Sequence, residues 1–101
     1  MTQSKIYLSV NARISLNEII DYTKKQWTKK EFLYLKQRLN ELLNIIQTNP
    51  YAFKTYHKQE HVRQAVLLAN ISVFYLVNNN EIHILILLFW DNRRNPEDLN
   101  L

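Results

Sequence analysis

Ile14-Ser-Leu-Asn-Glu-Ile-Ile-Asp-Tyr-Thr-Lys-Lys-Gln-Trp-Thr-Lys-Lys-Glu-Phe32 holds two Ser/Thr-x-x-Glu sequences thirteen residues apart, Ser15 with Glu18 and Thr28 with Glu31. In such a box the hydroxyl accepts a hydrogen bond from the N–H three residues on, and the glutamate reaches back to the cap N–H. Ile14 and Ile19 take the staple positions around the first box, Trp27 and Phe32 those around the second. The spacing predicts a helix from Ser15 through Leu16, Ile19, Ile20 and Tyr22 to about Gln26, and a second helix beginning at once after Thr28. With almost no spacer between them, the two form an αα-hairpin.

Downstream, Phe32, Leu35, Leu39, Leu42, Leu43 and Ile46 recur at helical spacing, while Lys29, Lys30, Lys36, Arg38 and Glu41 fall largely elsewhere around the helix. Asn49-Pro50 stops it, because proline disfavours a helical residue before it and has no N–H to donate. A helix of that length reaches roughly 30 Å, enough to cover one face of a small sheet. Upstream, residues 5–10 alternate as a short strand with Ile6, Leu8 and Val10 on one face. Residues 51–61 read as a loop, and three strands follow: Val62–Ala69, Ile71–Val77 and Glu81–Trp90, with turns at Asn70 and at Asn78-Asn79-Asn80. The last strand is apolar on both faces, with Ile82, Ile84, Ile86 and Leu88 set against Leu85, Leu87 and Phe89. It is therefore expected to be central and covered on both sides. The order β-α-α-β-β-β describes one α+β domain over residues 1–101, an antiparallel sheet with a helical hairpin packed on one face.

The composition narrows the chemistry. The chain has 101 residues, no cysteine and no glycine. It therefore lacks thiol nucleophiles, thiolate metal sites and the glycine-dependent phosphate loops. The N-terminus has no basic region leading into an apolar core, and no apolar run is long enough to span a bilayer as a helix. A cytoplasmic protein without membrane contact is expected. Residues 1–63 carry eleven Lys/Arg against five Asp/Glu, whereas residues 64–101 carry two against four. That excess of +6 suits nucleic acid or an acidic protein partner.

His57-Lys-Gln-Glu-His61 matches an H-x-x-E-H pattern, but metal use requires both histidines on one helical face, and the segment lies between a helix stop and a strand. It reads as a loop with two exposed histidines, and no metal is expected. His83, inside the last strand, reads as buried structure. Lys54, His57, Lys58, His61 and Arg63, together with Arg93-Arg94 after the last strand, make one candidate anion-binding surface, since guanidinium forks match phosphate oxygens. The competing reading is solvated loops and sheet edges. Tyr56, Phe74, Tyr75 and Trp90 offer faces on which bases stack, but at strand spacing aromatics more often fill a core. Asp91 is positioned to pair with Arg93 or Arg94 as a C-terminal cap.

With these pieces in order, the chain resembles the RelE/ParE superfamily, the toxins of type II toxin–antitoxin pairs. The matching stretches are Leu16 to Tyr22 followed by Trp27, Leu43 to Asn49-Pro50, Val62-Arg63, Val73-Phe-Tyr75, and Ile84 to Arg93-Arg94-Asn-Pro96. The resemblance implies a cognate antitoxin, often acidic, that wraps the toxin as a helix and an added strand, and it implies no cofactor. It also implies one of two targets. RelE-like members cut messenger RNA in the ribosome, for which Lys54, Lys58, Arg63 and Arg93 are the matching catalytic candidates. ParE-like members poison DNA gyrase without being enzymes, and Arg63, Arg93 and Arg94 are then candidate target-binding residues. After Arg94 the sequence Asn-Pro-Glu-Asp-Leu-Asn-Leu101 supplies neither the tyrosine nor the histidine common in the nucleases, so the ending resembles the ParE side.

Overall fold

The computed structural model describes residues 4–78 and 83–101. In chain order the elements are β1 (Lys5–Leu8), α1 (Val10–Gln26), α2 (Lys29–Thr48), β2 (Thr55–Tyr56), β3 (Gln59–Leu68), β4 (Ile71–Asn78), β5 (His83–Asp91) and a short 3₁₀ turn, Pro96–Asp98. The strands form one sheet in the order β1-β5-β4-β3-β2. The expected α+β architecture is present, and β5 lies inside the sheet with a strand on either side. Asn79, Asn80, Glu81 and Ile82, on which the second turn and the start of the last strand were expected, lie outside the described residues; Asn78 ends β4.

Five local expectations need correction. The sheet is mixed, not wholly antiparallel, because β1 runs parallel to β5 with Ile6 opposite Ile84 and Leu8 opposite Ile86. β1 stops at Leu8, and Val10, expected on one strand face with Ile6 and Leu8, opens α1 and is exposed. The N-cap of α1 is Ser9, whose hydroxyl accepts from the Ala12 N–H at 3.0 Å, so Ser15 is a mid-helix residue and not a cap. Tyr22, expected on the apolar stripe of α1, is exposed, and the neighbouring Thr23 is buried in its place. The segment 51–61 is not all loop, since it contains β2 and the first residues of β3.

The second capping box is present as read. Thr28 accepts from the Glu31 N–H and Glu31 accepts from the Thr28 N–H, so only two residues lie between α1 and α2. Asn49 closes it, with its N–H donated to the Ile45 carbonyl. The helical pair packs on one sheet face, where Leu35, Leu42 and Ile46 of α2 and Ala12 of α1 meet Ala65, Leu67, Val73, Tyr75, Ile84, Ile86 and Phe89. Small side chains on α1 (Ala12, Ser15) let it approach β5 closely, as helix packing against a sheet requires.

The other sheet face carries a smaller cluster of Tyr56, Val62, Phe74 and Trp90, over which Leu99 and Leu101 of the C-terminal tail are packed. Both faces of β5 are thus covered, though not by the alternation expected. Phe74 lies opposite Leu88 while Tyr75 lies opposite Ile86, so Leu87 is the extra residue of a bulge. Past it the parity inverts. Phe89 joins Ile84 and Ile86 on the helix side, and Leu88 joins Leu87 and Trp90 on the other.

Candidate functional site

The candidate cations divide between two places. Arg63 stands on β3 opposite Tyr75, whereas Asp91, at the end of β5, stands opposite Ile71. Four residues of β4 separate the two levels, about 13 Å at roughly 3.3 Å per residue. Arg93 lies two residues beyond Asp91. The structure therefore does not bring Arg63 together with Arg93, and the two line different hollows.

At the Arg63 end, the guanidinium Nη1 donates to the Phe53 carbonyl at 2.6 Å and the group sits 4.9 Å from the centre of the Tyr51 ring. Both partners lie in the loop that leaves α2, so Arg63 ties this loop to the sheet. Tyr75, its neighbour across the strands, is buried and donates its hydroxyl to the Pro50 carbonyl at 2.8 Å. Burial pushes the Tyr75 phenol up to about 12, against the opposing pull of Arg63. Lys54 and Lys58 flank this region as exposed side chains around the β2 strand.

A groove of about 580 Å³ opens beside Arg63, lined also by Tyr51, Glu60, His61, Asn78 and His83. A second, of about 760 Å³, runs past His57, Lys58, His61 and Leu101. Glu60, His61 and Leu76 border both, so all three histidines of the chain lie along one depression. His57 and His61 are exposed on the β2–β3 hairpin, and no helix holds them on a common face. Among the described residues no three His, Cys, Asp or Glu are grouped to hold a metal ion. His83 is half-buried at the start of β5, edge-on to Tyr7 at 5.5 Å, and so is not the buried structural residue expected. Nothing in the sequence pairs His61 with His83, because only the β3-β4-β5 adjacency places them along the same depression.

At the other end, β5 leads into a tight turn. Arg94 N–H donates to the Asp91 carbonyl at 3.0 Å, and Asn92 N–H donates to the Asn70 carbonyl at 2.7 Å. The Asp91 carboxylate receives the Arg93 backbone N–H at 2.9 Å, Nε at 3.0 Å and Nη2 at 2.7 Å. This fork holds the Asp91 carboxyl below the usual carboxylate range, despite partial burial, and raises Arg93 further above its own. Of the two pairings expected for Asp91, the one with Arg93 forms. Arg94 instead lies over the Trp90 ring, 4.6 Å from its centre. A polar chain not anticipated from sequence joins β3, β4 and the turn after β5 here. Gln64 Nε2 donates to Ser72 Oγ at 3.1 Å, and the fully buried Ser72 hydroxyl donates to Asn92 Oδ1 at 3.1 Å. Tyr56, Phe74, Tyr75 and Trp90 are all buried, which makes them core and not stacking platforms. No helix among the described residues is long and apolar enough to cross a membrane.

No family model matches the sequence, and no curated protein matches it. Solved structures do. A chain of the chromosomal ParDE TA system from P. aeruginosa superposes with a TM-score of 0.70 at 18% identity, covering 87% of this chain and 95% of that one. The YoeB dimer from Staphylococcus aureus gives 0.58 at 19% identity over 86% of this chain and 94% of the other. The YoeB-YefM complex from Staphylococcus aureus gives 0.56 at 20%, over 87% and 95%. At these identities it is the arrangement of strands and helices that is shared. With its helical hairpin laid on a five-stranded sheet, this chain has the fold of the ParDE and YoeB chains.

Proposed function

We propose that this chain is the growth-inhibiting toxin of a type II toxin–antitoxin pair, that a cognate antitoxin neutralises it in the cytoplasm, and that it acts by binding DNA gyrase. The fold it shares with ParDE and YoeB chains supports the toxin reading, and the YoeB-YefM complex supports a protein partner. The excess of positive charge in residues 1–63 favours an acidic one.

The choice of gyrase over messenger RNA rests on the segment after β5. Cleavage by an attacking 2′-hydroxyl needs a base to take its proton and an acid to protonate the leaving oxygen, both close to one phosphate. Here Arg93 is taken up by Asp91, and Arg63 is held by a carbonyl and a ring at a different level of the sheet. Residues 95–101 contain no tyrosine or histidine, and they fold into the Pro96–Asp98 turn with Leu99 and Leu101 on the sheet. Such a tail suits a protein surface that contacts a target. The turn bearing Arg93 and Arg94 is its target-contacting element in this reading.

Induced expression with and without the antitoxin, followed by two assays on the purified chain, tests the proposal. Growth arrest relieved by the antitoxin, inhibition of gyrase supercoiling with trapped cleaved DNA, and intact messages on translating ribosomes are expected. Message cleavage with undisturbed supercoiling would reverse the choice of target.

A further inference from the structure

The two arginines that follow β5 are adjacent in sequence but differ in what holds them. Arg93 places Nε and Nη2 on the two oxygens of Asp91, with bond lengths of 3.0 and 2.7 Å, which uses the edge of the guanidinium that would grip an oxyanion. Arg94 has no carboxylate in hydrogen-bonding contact among the described residues. Its guanidinium lies over Trp90, whose ring is almost entirely buried. A guanidinium held over an aromatic ring in this way is restrained without a carboxylate taking up its N–H donors, which can then meet a planar or tetrahedral oxyanion.

The support beneath Arg94 is also fixed. Its own N–H closes the turn onto the Asp91 carbonyl, Asn92 is tied to Asn70 through the backbone and to Ser72 through its side chain, and Asn95 caps the following 3₁₀ turn by accepting from Glu97. A hollow of about 150 Å³ adjoins both arginines, bordered by Glu18, Tyr22, Trp27 and Asn70. The acids facing it are Glu18 and Asp91, and Arg93 already neutralises Asp91.

Resting on the reading of this turn as the target-contacting element, we propose that Arg94, held over Trp90, is the residue that binds an oxyanion of the target, a phosphate or a carboxylate, while Arg93 is an internal brace of the turn. Trp90, Asp91 and Asn92 are then positioning residues. They act by holding the Arg94 guanidinium in one place before the anion arrives.

The test follows the arginine Nε–Hε and tryptophan indole resonances of the full-length ¹⁵N-labelled chain during titration with inorganic phosphate, and in a second arm with acetate. Saturable movement of the Arg94 and Trp90 signals with Arg93 unmoved is expected, and the arm with the stronger response identifies the oxyanion. Movement of Arg93 in place of Arg94, or equal drift of all arginine signals, overturns the proposal.

A parallel measurement compares R94A, R94K and R93A for growth arrest and melting temperature. R94A should keep the wild-type melting temperature and arrest growth roughly tenfold less well or worse, in line with loss of a charge-assisted hydrogen bond. R94K should fall between, since a lysine keeps the charge without the fork. R93A should lose thermal stability. Wild-type arrest by R94A contradicts the assignment. If the wild-type chain arrests growth without touching gyrase and R94A does not arrest it, the gyrase target is wrong and Arg94 stands. If the wild-type chain arrests nothing, the titration still decides.

Discussion

A strand whose neighbour ends early leaves backbone groups to be satisfied by something else, and β5 meets this problem past Ile86, where β1 has stopped. Two serines of the α1 region supply the missing partners. Ser9 donates its hydroxyl to the Leu87 carbonyl at 2.9 Å, and Ser15 Oγ accepts the Phe89 N–H at 3.0 Å while donating back to its own helix. Ser15→Ala removes the acceptor and leaves a buried N–H unpaired, so it should cost about 1–3 kcal/mol in chemical denaturation. A loss within the scatter of surface substitutions would show that water replaces the hydroxyl. Tyr75 makes a second prediction. Its folded-state pKa is raised, so the stability it contributes is present below the ordinary tyrosine range and disappears as pH climbs through about 12. Ultraviolet titration should find one tyrosine ionising last, and Tyr75→Phe should abolish that step and cost about 1 kcal/mol for the lost bond to the Pro50 carbonyl.

At the scale of elements, the helical hairpin depends on its junction. Only Trp27 and Thr28 separate α1 from α2, and the reciprocal Thr28–Glu31 bonds let the second helix begin without a frayed turn. Thr28→Ala should destabilise the fold by about 1 kcal/mol, with Thr28→Ser close to wild type, as for other caps of this kind. The turn after β5 offers a pH test. Because the Asp91 carboxyl is held down by Arg93, the stabilisation is present above the ordinary carboxylate range and is lost as pH falls through the lowered value. Carbon-detected titration should place Asp91 below the exposed carboxylates, and Arg93→Ala should bring its midpoint back up. An unchanged midpoint in that variant would remove Arg93 as the cause. Both devices join residues within three positions of one another, so both are legible in sequence. Thr28 with Glu31 is legible outright, and Asp91 with Arg93 as one of two pairings the sequence permits.

For the whole molecule, the C-terminal tail completes the second face of the sheet. Leu99 and Leu101 pack against the cluster of Tyr56, Val62, Phe74 and Trp90. Truncation before Leu99 should therefore lower the melting temperature and raise binding of an apolar dye. A truncated chain as stable as the full one would mean that the tail only rests there. Burial at this scale is cooperative, since one segment covers apolar groups contributed by four strands.

What the residues determined by themselves is the local grammar: two consecutive helices, a stop at Asn49-Pro50, the three long strands after it and a last strand without a polar face. These follow from contacts a few positions apart, where cap chemistry and hydrophobic period act before any tertiary structure exists. Ser15 shows where that grammar misleads, because a cap signature inside a helix is indistinguishable in sequence from one at its start. The parallel pairing of β1, the bulge at Leu87 and the distance between Arg63 and Arg93 were decided only by tertiary structure. Register is set by how side chains from distant segments fill a shared interior, and one inserted residue reverses the facing of all that follow it. The candidate site was therefore less legible than the fold: its arginines are visible as letters, but how far Arg63 stands from Arg93, and which of the two pairings open to Asp91 forms, depend on strand register and turn geometry.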